Sequence, residues 1–265
     1  MLFEKKIGEH GFVKIVDAMG NDQSIVDAAR VSYQKGTKTS RNTEGLIRYL
    51  MRNRHTSPFE MCEIKMIIRA PIFIARQWMR HRTASINEES ARYSVVRNEF
   101  WYAEDEEVRA QSDKNKQVGD GDIDDSHLVS SEMYRSMKHS FDTYSFAIEK
   151  GVCREQARSV LPVSTYTSFV WKIDLHNLLH FLRLRMDWHA QKEIREYARA
   201  IATYVQEWVP ETWEAFDNYQ LNSVTFSKRE MELLRGEYQT STMELSAGER
   251  REFDQKRQLI KAQDD

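Results

Sequence analysis

The chain has 265 residues, a formal net charge of −2, 40% hydrophobic and 30% charged residues. Near-neutral charge argues against a surface built for bulk polyanion binding, so any anion site must be a local cluster. Two cysteines far apart, Cys62 and Cys153, argue against a disulfide framework and a multi-cysteine metal site. The length allows one large domain with a sizeable core.

The N-terminal Met1-Leu2-Phe3-Glu4-Lys5-Lys6 has too short an apolar region for a secretory signal. The longest apolar stretch is interrupted by Arg69, which leaves no membrane span. A cytoplasmic protein is expected. Phe12 to Met19 reads as a strand and Gly20-Asn21 as its turn. Asn21 is placed to cap a helix with Ile25, Val26, Ala29 and Val31 on its apolar face. A second helix is predicted from about Thr43 to Arg54, with Leu46, Ile47, Leu50 and Met51 on one side. His55-Thr56-Ser57-Pro58 stops it. Glu60 to Arg69 is strand-like, with Cys62 expected in the core, and Pro71 suits the first turn of a helix running towards His81.

The polar stretch from Gln111 to Asp122 reads as a loop. A long helix is predicted from about Asp125 to Glu149, closed by Gly151, and a short one around Glu155 to Val160, stopped by Pro162. Tyr166 to Trp171 is strand-like. Helices from Leu175 to about Asp187 and from about Ala190 to Trp208 follow. The second carries a stripe of Ile194, Tyr197, Ala198, Ile201, Val205 and Trp208. The fold class expected is α+β, a small antiparallel or mixed sheet flanked by several helices. The main domain is expected over residues 1–220, with residues 221–265 as a charged, partly helical tail.

Two segments concentrate chemistry. Arg80-His81-Arg82-Thr83-Ala84-Ser85-Ile86-Asn87-Glu88-Glu89-Ser90-Ala91-Arg92-Tyr93 follows the apolar run Ala70 to Ala75. If the helix from Pro71 reaches His81, Gln77 lies one turn before Arg80 and His81 on one face. The arginine forks suit phosphate or carboxylate. Glu88, Ser90 and Arg92 are expected in a loop that presents acceptors and donors alternately. The alternative is a salt-bridged helix end, or a non-catalytic nucleotide- or RNA-binding cluster.

The second segment runs from Asp174 to Asp187. At helical spacing His176, His180, Arg183 and Asp187 form one stripe, opposite Leu175, Leu178, Leu179, Leu182 and Met186. Arg185 sits at the flank of the apolar face and needs an anionic or strongly accepting partner, from the protein or from a ligand. His176 and His180 at this spacing can also ligate a metal, although the HExxH pattern is absent. A His-based metal hydrolase therefore remains a reading. Elsewhere, Glu155 and Arg158 are one turn apart.

Together these segments resemble the flavin-dependent thymidylate synthases. The signature of that family is Arg-His-Arg, seven residues, then Ser, and here it stands as Arg80-His81-Arg82 and Ser90. The resemblance extends to Ala28-Ala29-Arg30-Val31-Ser32, His55-Thr56-Ser57-Pro58-Phe59-Glu60, Arg76-Gln77-Trp78, Arg158 with Leu161-Pro162, and Leu184-Arg185 with His189-Ala190-Gln191. It covers roughly Gly11 to Phe216.

The resemblance implies reductive methylation of dUMP to dTMP. Methylenetetrahydrofolate would supply the carbon, and NADPH a hydride through FAD. It implies a homotetramer with active sites shared between subunits, and neither nucleic acid nor membrane as partner. Residue by residue, Gln77, Trp78, Met79, Arg80, Glu88, Glu89, Ser90, Ala91, Arg92, Arg158 and Arg185 match the dUMP site. His55, Ser57, Arg80, His81, Arg82, Glu88, Asp174, Leu175, His176 and His180 match the FAD site. Arg185 matches the arginine facing the uracil and is the expected catalytic residue, reaching the Arg80 segment from another subunit. Ser90 is assigned to binding rather than to nucleophilic attack, and no metal is implied. Many members have Asn, Arg and Asn where this chain has Asp174, His176 and His180.

Overall fold

A computed structural model describes residues 3–31, 42–113, 118–236 and 245–261. The chain divides into two compact units, Met1–Phe216 and Asp217–Asp265. In the first, a hairpin of β1 (Phe3–Ile7) and β2 (Gly11–Met19) leads into α1 (Asp22–Arg30). Next come α2 (Thr43–Arg52), α3 (Ser57–Glu60), β3 (Glu63–Pro71), α4 (Ile72–Trp78) and β4 (Ser85–Glu88). After these come α5 (Ser126–Glu149), α6 (Arg154–Ala157), β5 (Tyr166–Asp174), α7 (Leu175–Met186), α8 (Lys192–Trp208) and α9 (Pro210–Phe216). The second unit contains α10 (Lys228–Leu234), begun by a Ser227–Glu230 capping box, and α11 (Ala247–Lys261).

All strand pairs are antiparallel, in the order β1-β2-β3-β5-β4. This is the expected α+β class. Helices cover one face of the sheet. There Val13, Ile15, Ile64, Met66, Ile68, Phe169, Trp171 and Ile173 are buried with Trp78, Phe181, Leu182, Ile194, Tyr197 and Ile201. Trp78 is the aromatic centre, with ring contacts to Phe169, Trp171, Phe181 and Tyr197 at 4.8–6.0 Å. On the other face Lys65 stands opposite Lys172, Ile67 opposite Val170 and Arg69 opposite Ser168. Lys65 and Val170 are exposed there.

Local chemistry explains most element ends. Asn21 caps α1 in a reciprocal box with Ser24. Gly20 before it has φ +85°, and a Cβ there would lie 2.6 Å from Cys62 Sγ, so only glycine fits the turn. Cys62 is buried as expected, and burial pushes its thiol up to about 11. Gly151, at φ +81°, ends α5.

The structure also corrects several expectations. Val31 lies beyond α1 and is 83% exposed rather than on the apolar face. The helix from Pro71 stops at Trp78, where the Arg80 and His81 N–H groups bond to the carbonyls of Gln77 and Trp78. The chain must turn there to enter β4, so Gln77, Arg80 and His81 do not share a helical face. The predicted helix Glu155 to Val160 is α6 plus a 3-10 turn, Arg158–Val160. In the Gln111 to Asp122 loop, Gln111 bridges Gly119, while residues 114–117 lie outside the described residues. Ser32 and residues 237–244 and 262–265 of the tail also lie outside them.

Candidate active site

The Glu88 to Arg92 segment is not a free loop. Its first residue ends β4, opposite Phe169. Glu88 Oε1 accepts a hydrogen bond from Thr167 Oγ1 at 2.7 Å. One residue on, the Glu89 N–H donates to the Ser168 carbonyl, and the Ser168 N–H donates to Glu89 Oε1, both at 2.9 Å. The chain then turns over Ser90, whose carbonyl accepts from the Tyr93 N–H at 3.0 Å and whose Oγ accepts from the Arg92 N–H at 3.3 Å. Residues 88–92 line a cleft of about 700 Å³ together with Arg158 and Arg69. Arg92 and Arg158 are exposed and make no ion pair among the described residues. Arg92 Nε donates to Ser90 Oγ at 3.4 Å and its guanidinium lies 5.5 Å from the Tyr93 ring centre. Neither it nor Arg158 is held by a carboxylate among the described residues, which suits a dianionic phosphate.

Gln77, Trp78, Met79, Arg80 and Arg185 do not line that cleft. Gln77 Nε2 instead donates to Gln191 Oε1, which places the start of α8 beside the end of α4. The Trp78 indole is fully buried in the aromatic core, so only its backbone can face a ligand. Met79 is half-buried and Arg80 exposed. Arg185 Nε donates to His81 Nε2 at 2.9 Å, and this contact lies within one chain. The expectation that Arg185 meets the Arg80 segment only from another subunit is corrected to that extent. His81 also lies against Phe181 and His180, at 4.9 and 6.2 Å between ring centres.

An Arg donor requires Nε2 of His81 to be unprotonated, so the neutral ring carries its proton on Nδ1. Burial, then Arg185, then His180 push the His81 pKa down to about 4. His180 is pulled down too, by burial and by Arg183, His176 and Arg185. Burial lowers Arg185, which remains a cation. The arrangement is a neutral imidazole that orients a half-buried guanidinium and leaves its two Nη groups for a ligand.

This arrangement has a pH consequence. Between pH 6.5 and about 4 the unfolded chain binds a proton on His81 that the folded chain refuses. Folding stability therefore rises with pH across that window and falls on acidification. Denaturant unfolding at pH 7 and pH 5 is expected to show a larger acid loss for the wild type than for His81→Gln. Equal losses would contradict the environment described for His81.

The residues expected to meet the flavin gather around the exposed side of α7. His55 is exposed, with its ring edge-on to Tyr49, and Ser57 opens α3, which packs on α7. Arg80 and Arg82 are exposed. Thr83 Oγ1 donates to Asn177 Oδ1 at 2.8 Å and joins the segment after Arg82 to the first turn of α7. His176 is half-buried and His180 exposed, on the predicted polar stripe. Asp174 is the N-cap of α7, and its carboxylate accepts from the Asn177 N–H and Nδ2 at 2.9 and 2.7 Å. Leu175 is fully buried. Both are therefore placed to shape the helix start rather than to offer a free side chain. Glu88, expected at both ligands, stands on the cleft.

Sequence reasoning gives no site role to Arg69, Thr167 or Gln191. The signals available are Arg69 itself, a cation inside an apolar strand, and the place of Gln191 in a family-matching segment. No group of three or more His, Cys, Asp or Glu side chains that could hold a metal ion occurs among the described residues.

Residues 14–211 match the family described as thymidylate synthase complementing protein. A flavin-dependent thymidylate synthase of Wolbachia pipientis is 51% identical over 235 residues, covering 88% of this chain and 82% of that relative. One from Thermus thermophilus is 52% identical over 228 residues, covering 86% and 83%. Among solved structures, a UMP/dUMP methylase, PolB of Streptomyces cacaoi bound with 5-Br dUMP, superposes with a TM-score of 0.72. It is 37% identical, and the match covers 79% of this chain and 95% of that one.

Proposed function

The chain belongs to the flavin-dependent thymidylate synthase family, and on that premise we propose how its residues divide the work. The reaction is the reductive methylation of dUMP to dTMP, with methylenetetrahydrofolate as carbon donor, NADPH as hydride source and FAD as cofactor. The observation that carries this reading is the match over residues 14–211, which contains both clusters described above. It replaces the readings of Arg80 to Arg92 as a nucleic-acid cluster and of His176 and His180 as a hydrolase metal site.

The cleft formed by Glu88 to Arg92 and Arg158 holds the nucleotide. Arg92 and Arg158 take the phosphate, while Ser90 and the backbone of Glu89 and Ala91 fix its register. Gln77, the backbone of Trp78 and Met79, Arg80 and Arg185 meet the base from the other cluster. Bound FAD would supply the hydride chemistry between NADPH and the pyrimidine. The donor set suits it: exposed Arg80 and Arg82, with His81 between them, offer charge to a pyrophosphate, and His55, Ser57, His176 and His180 offer polar atoms beside α7. Asp174 and Leu175 shape that surface. Arg185, oriented by neutral His81, places positive charge where negative charge builds on the ring. No nucleophilic side chain is required, which agrees with a Cys62 that is fully buried against Gly20 and Asn21.

The two nucleotide clusters occupy different places on one chain, and one face of the sheet carries exposed Val170 beside half-buried Ile67. The homotetramer is the assembly that the family resemblance implies, and the placement of the two clusters apart on one chain supports sites that draw on more than one subunit. The synthase domain is assigned to residues 1–220 and the tail to residues 221–265. No helix among the described residues is long and apolar enough to cross a membrane, and a cytoplasmic location is the reading kept. Purified protein is expected to be yellow, with a flavin absorption band. Protein that stays colourless and takes up no added FAD would refute the assignment.

A further inference from the structure

Arg69 lies near the end of β3, opposite Ser168 of β5, and is only 8% exposed. A buried guanidinium must find acceptors for its five donors. Nη1 donates to Ser168 Oγ at 3.0 Å, and Nη2 donates to Glu99 Oε2. Glu89 Oε1 lies 4.0 Å from Nη1, and the Tyr166 ring lies 5.8 Å from Cζ. The same Glu89 oxygen accepts the Ser168 N–H. Arg69, Ser168 and Glu89 thus close a triangle.

The positions of the two carboxylates in the chain give this cluster its meaning. Glu89 is the last residue before the Ser90–Asn98 segment, and Glu99 is the first residue after it. Glu99 is itself tied to the sheet, since its carbonyl accepts the Tyr166 N–H at 3.1 Å. One buried cation therefore reaches both ends of the segment that carries Ser90 and Arg92 into the cleft. Holding both ends of a loop restricts its conformations before ligand arrives, which favours binding. Arg69 also offsets the charge of Glu89, a carboxylate on the cleft wall that an incoming phosphate dianion would meet.

We propose that Arg69 is a positioning residue that clasps the two ends of the Ser90–Asn98 loop through Glu89 and Glu99, and so sets the affinity for dUMP. This rests on the assignment of the cleft to dUMP. Arg69 acts through the loop and leaves the chemistry to other groups.

The test uses the oxidised holoenzyme, with dUMP affinity read from the flavin absorbance change and steady-state kinetics measured alongside. Arg69→Met is expected to weaken dUMP binding by about tenfold or more, in line with loss of a charged hydrogen-bond network. Flavin content, the KM for methylenetetrahydrofolate and kcat at saturating dUMP are expected to stay within about twofold of wild type, as befits loss of uniform binding. Arg69→Lys, which supplies charge without the fork, should fall between, and Glu99→Gln should weaken dUMP in the same sense. Combining Arg69→Met with Glu99→Gln should add little to Arg69→Met alone, because both break one clasp. If Arg69→Met does not fold, Arg69→Lys and Glu99→Gln decide the matter. Unchanged dUMP affinity in these variants would overturn the inference, as would parallel losses of flavin and folate affinity or additive effects. Wild-type protein that binds no dUMP would instead refute the assignment of the cleft.

Discussion

Arg185→Ala is expected to keep its flavin and lose its turnover, with kcat for dTMP falling roughly 10²–10³-fold, the scale seen when one preorganised charge-stabilising donor is removed. The expectation follows from the geometry. Arg185 is half-buried, and its Nε is fixed by a neutral His81 that cannot compete for the positive charge. A guanidinium held in this way costs little reorganisation when negative charge builds on the pyrimidine. Arg185→Lys should recover little, because an ammonium at that position lacks the planar fork that bonds His81 and a ligand together. Steady-state kinetics with flavin content measured on the same sample check this. Turnover unchanged in Arg185→Ala would remove Arg185 from the mechanism.

Mixed oligomers are expected to give the second large effect. Arg158 lines the cleft, whereas Arg185 belongs to the other cluster on the same chain. If each site joins the cleft of one copy to the Arg185 cluster of another, Arg158→Ala and Arg185→Ala damage different halves. Each variant alone should be nearly inactive. Equal mixtures, dissociated and reassembled together, should recover about a quarter of wild-type activity, the fraction of sites with both halves intact under random assembly. A site built within one chain would recover none, and mixtures no more active than the separate variants would rule out sharing between subunits.

Much of this fold is legible in the sequence because its helices bury a whole stripe. In α2, Leu46, Ile47, Leu50 and Met51 recur at helical spacing and are all buried. The same holds for Ile194, Tyr197, Ala198, Ile201 and Val205 in α8. The edge strands β1 and β4 carry no such signal. Glu4, Lys5 and Lys6 are exposed, as is every residue of Ser85–Glu88, so these strands exist through pairing with β2 and β5 rather than through alternation. The end of α4 leaves no sequence signal for a related reason: what terminates it is the need to reach β4.

The site divides along the same line. The Arg80 to Arg92 and Asp174 to Asp187 segments stand out because their chemistry is dense in sequence. The contacts that organise them are not local. Arg185 meets His81 across 104 positions, and Arg69 meets Ser168 across 99. Neither pairing leaves a trace in spacing, and only the antiparallel register of β3 and β5 brings Arg69 and Ser168 face to face. Asp174 shows a local pairing instead: the residue that stands at a flavin-site position of the family resemblance also caps α7 through Asn177, three residues on.

The central claim is that bound flavin links NADPH to dUMP methylation, and its most direct test is anaerobic. The holoenzyme is reduced with NADPH, and dUMP and methylenetetrahydrofolate are added while flavin absorbance and products are followed. The account predicts that the flavin reoxidises only when both are present, with one dTMP formed for each flavin reoxidised. Reduced flavin that persists with both substrates present, or reoxidises without forming dTMP, would contradict it.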